Sequence, residues 1–189
     1  MQFRNTSVWP LIASAVVATL SNLNRRNVAV KNPDAIALLK ADHSAVKELF
    51  EQFSVLAEAK APALRKKEMI AQKICKELTV HAQIEEEIFY PAMRAAIDDH
   101  LLLDEADVEH ASCKLLIEQI ESMDPADDQY DAKVVVLGEY IDHHVKEEHG
   151  EMFPKARKAD LDLGALGAAM AERKKQLLAN YEPHSVEMA

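Results

Sequence analysis

Between Asn32 and Lys158 the apolar residues recur at alternating steps of three and four, the spacing that gathers side chains on one face of an α-helix. Four such stripes can be read. The first is Ile36, Leu39, His43, Val46, Phe50 and Phe53, with Asn32 and Pro33 as its expected N-cap and first position. Pro62 opens the second, which runs Ile70, Ile74, Leu78, His81, Glu85 and Ile88. The third is Leu103, Ala106, His110, Cys113, Ile117 and Ile120, ending near Met123 ahead of Asp124 and Pro125; the fourth is Val134, Leu137, Ile141, His144, Glu148 and Met152. No window sustains the two-residue alternation of a strand. The chain therefore reads as all-α, an up-and-down antiparallel four-helix bundle of helices about 20 to 30 residues long. A short extra C-terminal helix is expected where Leu163, Leu166 and Met170 precede Arg173, Lys174 and Lys175. This divides the sequence into a lead-in (1–31), the bundle (32–158) and a C-terminal helix and tail (159–189).

Each stripe carries one histidine, and two carry a glutamate four residues later. A single histidine on an apolar face is usually a hydrogen-bonded core residue. Four of them with two carboxylates are different, because burying them unpartnered costs on the order of several kcal/mol per group. The pattern points to one shared partner. If all six groups lie at one level of an antiparallel bundle, the hairpins must turn midway between those levels, near positions 63, 96.5 and 128. These fall beside Pro62, within Ile97-Asp98-Asp99 and within Pro125 to Asp128, residues that break helices and start turns.

The chain also repeats itself. His81-x3-Glu85 leads into Phe89-Tyr90-Pro91 and His144-x3-Glu148 into Met152-Phe153-Pro154, with His43 and His110 each one helix upstream. Two hairpin halves related by a pseudo-twofold would each offer two imidazoles and one carboxylate. Positions i and i+4 face the same way about 6 Å apart, so each pair can reach one metal or two adjacent ones. Facing halves would make a dinuclear site, with imidazoles on the outside and the two glutamates bridging.

Composition agrees with helices and narrows the partners. Four glycines in 189 residues are too few for a turn-rich β fold or a glycine-loop nucleotide fold. The formal charge of −10 argues against nucleic acid or an anionic membrane as the main partner. Cys75 and Cys113 form neither a disulfide framework nor a Cys-x-x-Cys pair, and read as reduced, buried thiols. Val8 to Leu20 is mostly apolar but shorter than the ~20 residues a transmembrane helix needs. It reads as a disordered or short helical lead-in, with a weak signal peptide as the alternative; a cytoplasmic location is expected, export to a periplasm being the other reading.

With the series His43, His81-x3-Glu85, His110, His144-x3-Glu148 and its Phe-Tyr-Pro and Met-Phe-Pro tails, residues 34–156 resemble the hemerythrin-like, or HHE cation-binding, family. The resemblance implies a non-haem pair of oxo- or hydroxo-bridged iron ions bridged by Glu85 and Glu148, one iron taking His43 and His81 and the other His110 and His144. The oxygen-carrying members it resembles have a second histidine four residues on in the third helix, where this chain has Lys114. They also have a bridging aspartate five residues after the last histidine, where this chain has His149. A four-histidine site is more open than theirs, which favours redox chemistry on a diatomic or peroxide over stable oxygen carriage.

Other metals and folds fit less well. A ferritin-like site needs Glu-x-x-His, and the residues three before His81, His110 and His144 are Leu78, Asp107 and Ile141. Zinc is satisfied by a closed site of three or four ligands, so iron is preferred over manganese or zinc. Around the stripes, Tyr90, Tyr140 and Cys113 read first as packing, with a hydrogen-bonding or redox role as the sharper alternative. Glu86, Glu87 and Glu147 turn about 100° or more from the ligands and read as solvated charge or entry-path carboxylates, Glu147 being the choice for a spare ligand. His100, His143, His149 and His184 fall off the stripes and are expected to be exposed. The function expected is metal binding with O2, peroxide or NO as the small ligand, for sensing, binding or peroxide removal. An enzyme of this kind would be a di-iron oxidoreductase with catalase- or peroxidase-like activity; iron storage without turnover, or a bundle used only for protein contacts, are the alternatives.

Overall fold

The computed structural model describes residues 33–59 and 63–181. The lead-in, Asn32, Pro62, His184 and the tail after Tyr181 lie outside the described residues. All the regular structure described is helical. Helix α1 is Ala35–Ala57. Helix α2 (64–96) runs as Leu64–Ile84, a π-helical turn Glu85–Phe89 and a last stretch Tyr90–Ala96. Helix α3 is His100–Glu121. Helix α4 (130–158) repeats the plan of α2, with Tyr130–Glu147, a π-helical turn Glu148–Met152 and Phe153–Lys158. Helix α5 is Leu163–Ala179.

The stripes account for this assembly. Of their 24 positions only Phe50, Ile70, Ile88 and Ile141 are not fully buried, and even these are half-buried. Helix α1 packs on α2 and α4, and α3 on α2 and α4, which closes the four into a bundle. The second connection is Ile97 to Asp99 and the third 122–129, so both expected turns fall in loops. The start of α1 differs from expectation, because the N-cap is Asp34, whose carboxylate accepts from the Ala37 amide at 2.8 Å. An aspartate caps the first turn as an asparagine does, and Pro33 stands just outside the helix.

Helix α5 is 17 residues long and lies on α1 and α2, sinking Met170 completely. Its approach depends on Gly167, where a Cβ would come within 2.4 Å of the Pro33 carbonyl oxygen and 2.7 Å of the Ala35 nitrogen. The apolar interior falls into two clusters. One gathers Leu39, Ile84, Phe89, Tyr90, Leu103, Phe153 and Met170; the other gathers Val46, Phe53, Ile74, Leu78, Ile117, Tyr130 and Leu137. Between these two clusters in sequence, on each of the four bundle helices, sits a buried histidine.

Candidate metal centre

The six stripe groups meet. His43, His81, His110 and His144 are 9%, 5%, 4% and 3% exposed, and Glu85 and Glu148 are 0% exposed. Ligand atoms of His43, His81, Glu85 and Glu148 all lie within 4.8 Å of one another, as do those of Glu85, His110 and His144. The imidazoles pair within each hairpin half: His43 Nε2 is 3.0 Å from His81 Nε2, and His110 Nε2 is 3.2 Å from His144 Nε2. Glu85 belongs to both groups, with Oε2 3.3 Å from His81 Nε2 and 3.4 Å from His110 Nε2. Glu148 Oε2 is 3.1 Å from His43 Nε2 and 3.8 Å from His144 Nε2.

Both glutamates open a π-helical turn. Proline lacks an N–H, and its ring would strike the carbonyl four residues back in a continuing α-helix. Before Pro91 the Tyr90 amide bonds the Glu85 carbonyl, five residues back, and before Pro154 the Phe153 amide bonds that of Glu148. Each wider turn accommodates the proline and sits where the helix presents its carboxylate, a common association for π-turns.

The outward nitrogens of the histidines are also held. His81 Nδ1 is 3.4 Å from Asp42, His110 Nδ1 is 2.9 Å from Glu86, and His144 Nδ1 is 2.7 Å from Glu109. His43 Nδ1 lies 3.0 Å from His149 Nε2. A carboxylate can only accept, so Nδ1 of these three histidines carries the proton and Nε2 turns a lone pair inward, the arrangement metal-ligating histidines use. Two expectations change here, and a third gains a detail. Glu86 is not simply solvated, because it holds His110 and also takes Lys114 at 2.6 and 2.7 Å. His149 is exposed as expected, with its Nε2 reaching His43. Glu147 is no spare ligand of the buried site; it lies outside, 3.3 Å from His143. Asp42 and Glu109 were passed over by stripe reasoning, although each directly precedes the first histidine of its half, a matched pair visible in the sequence.

Tyrosines divide just as clearly. Tyr90 is 2% exposed, and its hydroxyl is 3.3 Å from His110 Nε2 and 3.5 Å from His144 Nε2, so it faces the site rather than only packing. Tyr140 is 48% exposed and lies away from it. At the place related to Tyr90 by the repeat stands Phe153, whose ring stacks on His43 at 6.1 Å. Burial raises the Tyr90 hydroxyl well above its usual pKa, so it keeps its proton.

The charge of the core is unbalanced. None of the four oxygens of Glu85 and Glu148 has a well-directed hydrogen bond, although all are buried. Burial first, and then the Glu148 charge, push Glu85 well above the ordinary carboxylate range. Burial acts upward on Glu148 too, but the His43 ring beside it outweighs this and brings it to about 2. Burial brings His81 down to about 4 against the pull of Asp42, so it is neutral at pH 7 and free to ligate. Inward lone pairs around buried carboxylate oxygens that lack hydrogen bonds are what a buried cation site requires, so the residues present fit one or two metal ions. Beside this layer lies a largely enclosed cavity of about 30 Å3, walled by Val46, Leu78, Cys113, Ile117 and Ile141. Burial pushes the Cys113 thiol up to about 11, which makes it a wall rather than a nucleophile.

An all-helical bundle with a buried His/Glu layer defines a helical metal-binding protein. The sequence of residues 34–156 matches the hemerythrin HHE cation binding domain, and the chain belongs to that cation-binding family. A DNA nickase from Nostoc sp. is 30% identical over 123 residues, which make up 64% of this chain and 32% of that protein. The chain thus spans about a third of that relative's length. The crystal structure of a hemerythrin HHE cation binding domain-containing protein from Mycobacterium kansasii superposes with a TM-score of 0.64 at 24% identity, over 76% of this chain and 86% of that one, and has the same fold.

Proposed function

We propose that the protein holds two iron ions between His43, His81, His110, His144, Glu85 and Glu148, and uses them on dioxygen, nitric oxide or peroxide. The observation that carries this reading is the set of four buried, unpartnered carboxylate oxygens ringed by four inward imidazole nitrogens. His43 and His81 would hold one ion, His110 and His144 the other, with Glu85 and Glu148 shared. Imidazole mixed with carboxylate suits iron, and a bound iron pair supplies open positions for a small ligand and electrons to exchange with it.

The chain's own groups support that use. Asp42, Glu86 and Glu109 fix three imidazoles with Nε2 inward. The 30 Å3 cavity is roomier than the ~10–15 Å3 one water occupies, yet too small for an organic substrate. Its apolar wall admits a diatomic and disfavours ions. On the other side of the layer, where the first apolar cluster packs, the Tyr90 hydroxyl faces Nε2 of His110 and His144. Two ions in a sealed core are a poor store, so turnover or sensing is favoured over storage. The name DNA nickase belongs to the Nostoc protein, of which this chain spans about a third.

Anaerobic loading with ferrous iron followed by metal analysis should give two irons per chain, and His81→Ala with Glu85→Ala should lower the count. Absence of bound metal under reducing conditions would refute the reading. Mixing the loaded protein with peroxide then separates the uses: repeated oxygen release means catalysis, and a single oxidation means binding or storage.

A further inference from the structure

The two His-x3-Glu units are not equivalent on their outer side. On α4 a second pair, His143-x3-Glu147, runs one residue ahead of the buried one and so points about 100° away from it. The same places on α2 hold Val80 and Ile84, both buried. His143 Nε2 is 3.3 Å from Glu147 Oε1 and 3.5 Å from Glu109 Oε1 on α3. The three ligand atoms lie within 4.8 Å of one another in an open groove between α3 and α4.

The repeat shows what this groove lacks. Asp42 and Glu109 occupy matching places, each holding the Nδ1 of its half's second histidine with one oxygen. The other oxygen of Asp42 takes the Lys174 ammonium of α5 at 2.6 Å. Helix α5 packs on α1 and α2, and among the described residues no lysine or arginine pairs with Glu109 or Glu147. Where one half carries a protein cation, the other presents two carboxylates and an imidazole to solvent.

From this we infer that Glu109, His143 and Glu147 form a third metal site, which takes a divalent first-row transition ion from solution. One imidazole and two carboxylates suit zinc, ferrous iron or manganese, with water completing the shell. Two of the three ligands stand at i and i+4 on one helix and can reach a single ion together. The third, Glu109, bonds His144 through its other oxygen, so one carboxylate joins the outer ion to a histidine of the buried layer. The bland reading, a solvated surface pair, makes the opposite prediction in the same experiment.

The test is to titrate the iron-loaded full chain with zinc, remove free metal by gel filtration and count both elements. Wild type should keep its iron and gain one zinc per chain. The double variant His143→Ala, Glu147→Gln, altered at outward-facing positions, should keep the same iron and lose that zinc. No zinc retained by wild type, zinc retained equally by the variant, or zinc gained only as iron is lost would each overturn the inference. The iron count reports separately on the buried site. Were that site to take no iron, the difference of one zinc between wild type and variant would still decide the outer one.

Discussion

At the scale of single residues, the site is specified from outside as much as from inside. Four imidazoles aim Nε2 inward because something holds Nδ1, and in three cases that is a carboxylate. Glu86 shows how this couples to charge. Its bond to His110, with Lys114 adding to it against burial, brings it down to about 2. A depressed carboxylate contributes stability that is full above its unfolded pKa near 4.5 and lost as pH falls through the folded value. Glu86→Gln should therefore lower the stability of the metal-free protein by about 1 kcal/mol at pH 7, after allowing for solvent screening. The gap to wild type should close between about pH 4.5 and 2, measured by urea unfolding across pH; a constant gap would contradict it. Tyr90→Phe removes only a hydroxyl, so iron content should stay at the wild-type value while the rate of reaction with peroxide changes. Equal rates in stopped-flow would reduce Tyr90 to packing. The stripes made His43, His81, His110, His144, Glu85 and Glu148 legible, because a buried polar group interrupts an apolar period. Asp42, Glu86 and Glu109 were not, because each sits one residue off its stripe, where a charged side chain is ordinarily solvated.

At the scale of elements, the helices and two of their turns follow from spacing, since Asp and Pro stand where the shared level of six groups demands a reversal. The π-turns do not. Their five-back bonds depend on how Pro91 and Pro154 are absorbed, and the sequence before them is ordinary helix. Helix α5 was legible as a helix but not in its place, because its contact is backbone against backbone at Gly167 rather than a stripe. A methyl there would meet the Pro33 carbonyl and the Ala35 nitrogen, neither of which can rotate away. Gly167→Ala should consequently cost about 1–3 kcal/mol, as overpacking against rigid neighbours does. For a chain of this size that is roughly 3 to 10 °C in Tm. Iron content should be unaffected, since Gly167 touches none of the buried ligands. An unchanged melting temperature would mean that α5 does not seat on the start of α1.

At the scale of the whole molecule, an acidic chain carries its most costly acid inside. Glu85 and Glu148 are fully buried, share one space and lack well-directed bonds, so in the metal-free fold burial and the Glu148 charge favour the protonated form of Glu85. Its raised pKa means that the contribution of Glu85 is fully present below about 4.5 and is lost as pH rises. A bound cation removes that loss, because it replaces the proton with charge that both carboxylates can share. Two consequences follow for Glu85→Gln. Without metal, the variant should be at least as stable as wild type at pH 7, and its advantage should grow as pH rises above about 4.5, because the amide never ionises. With iron, wild type should gain stability by mass action, about 2.7 kcal/mol when free iron is a hundredfold above Kd, and the variant should gain little. Paired thermal melts with chelator and with ferrous iron read both. A metal-free variant melting well below wild type would show that the carboxylate serves the fold itself. The opposite order would show that the bundle tolerates an internal strain which only its cation relieves.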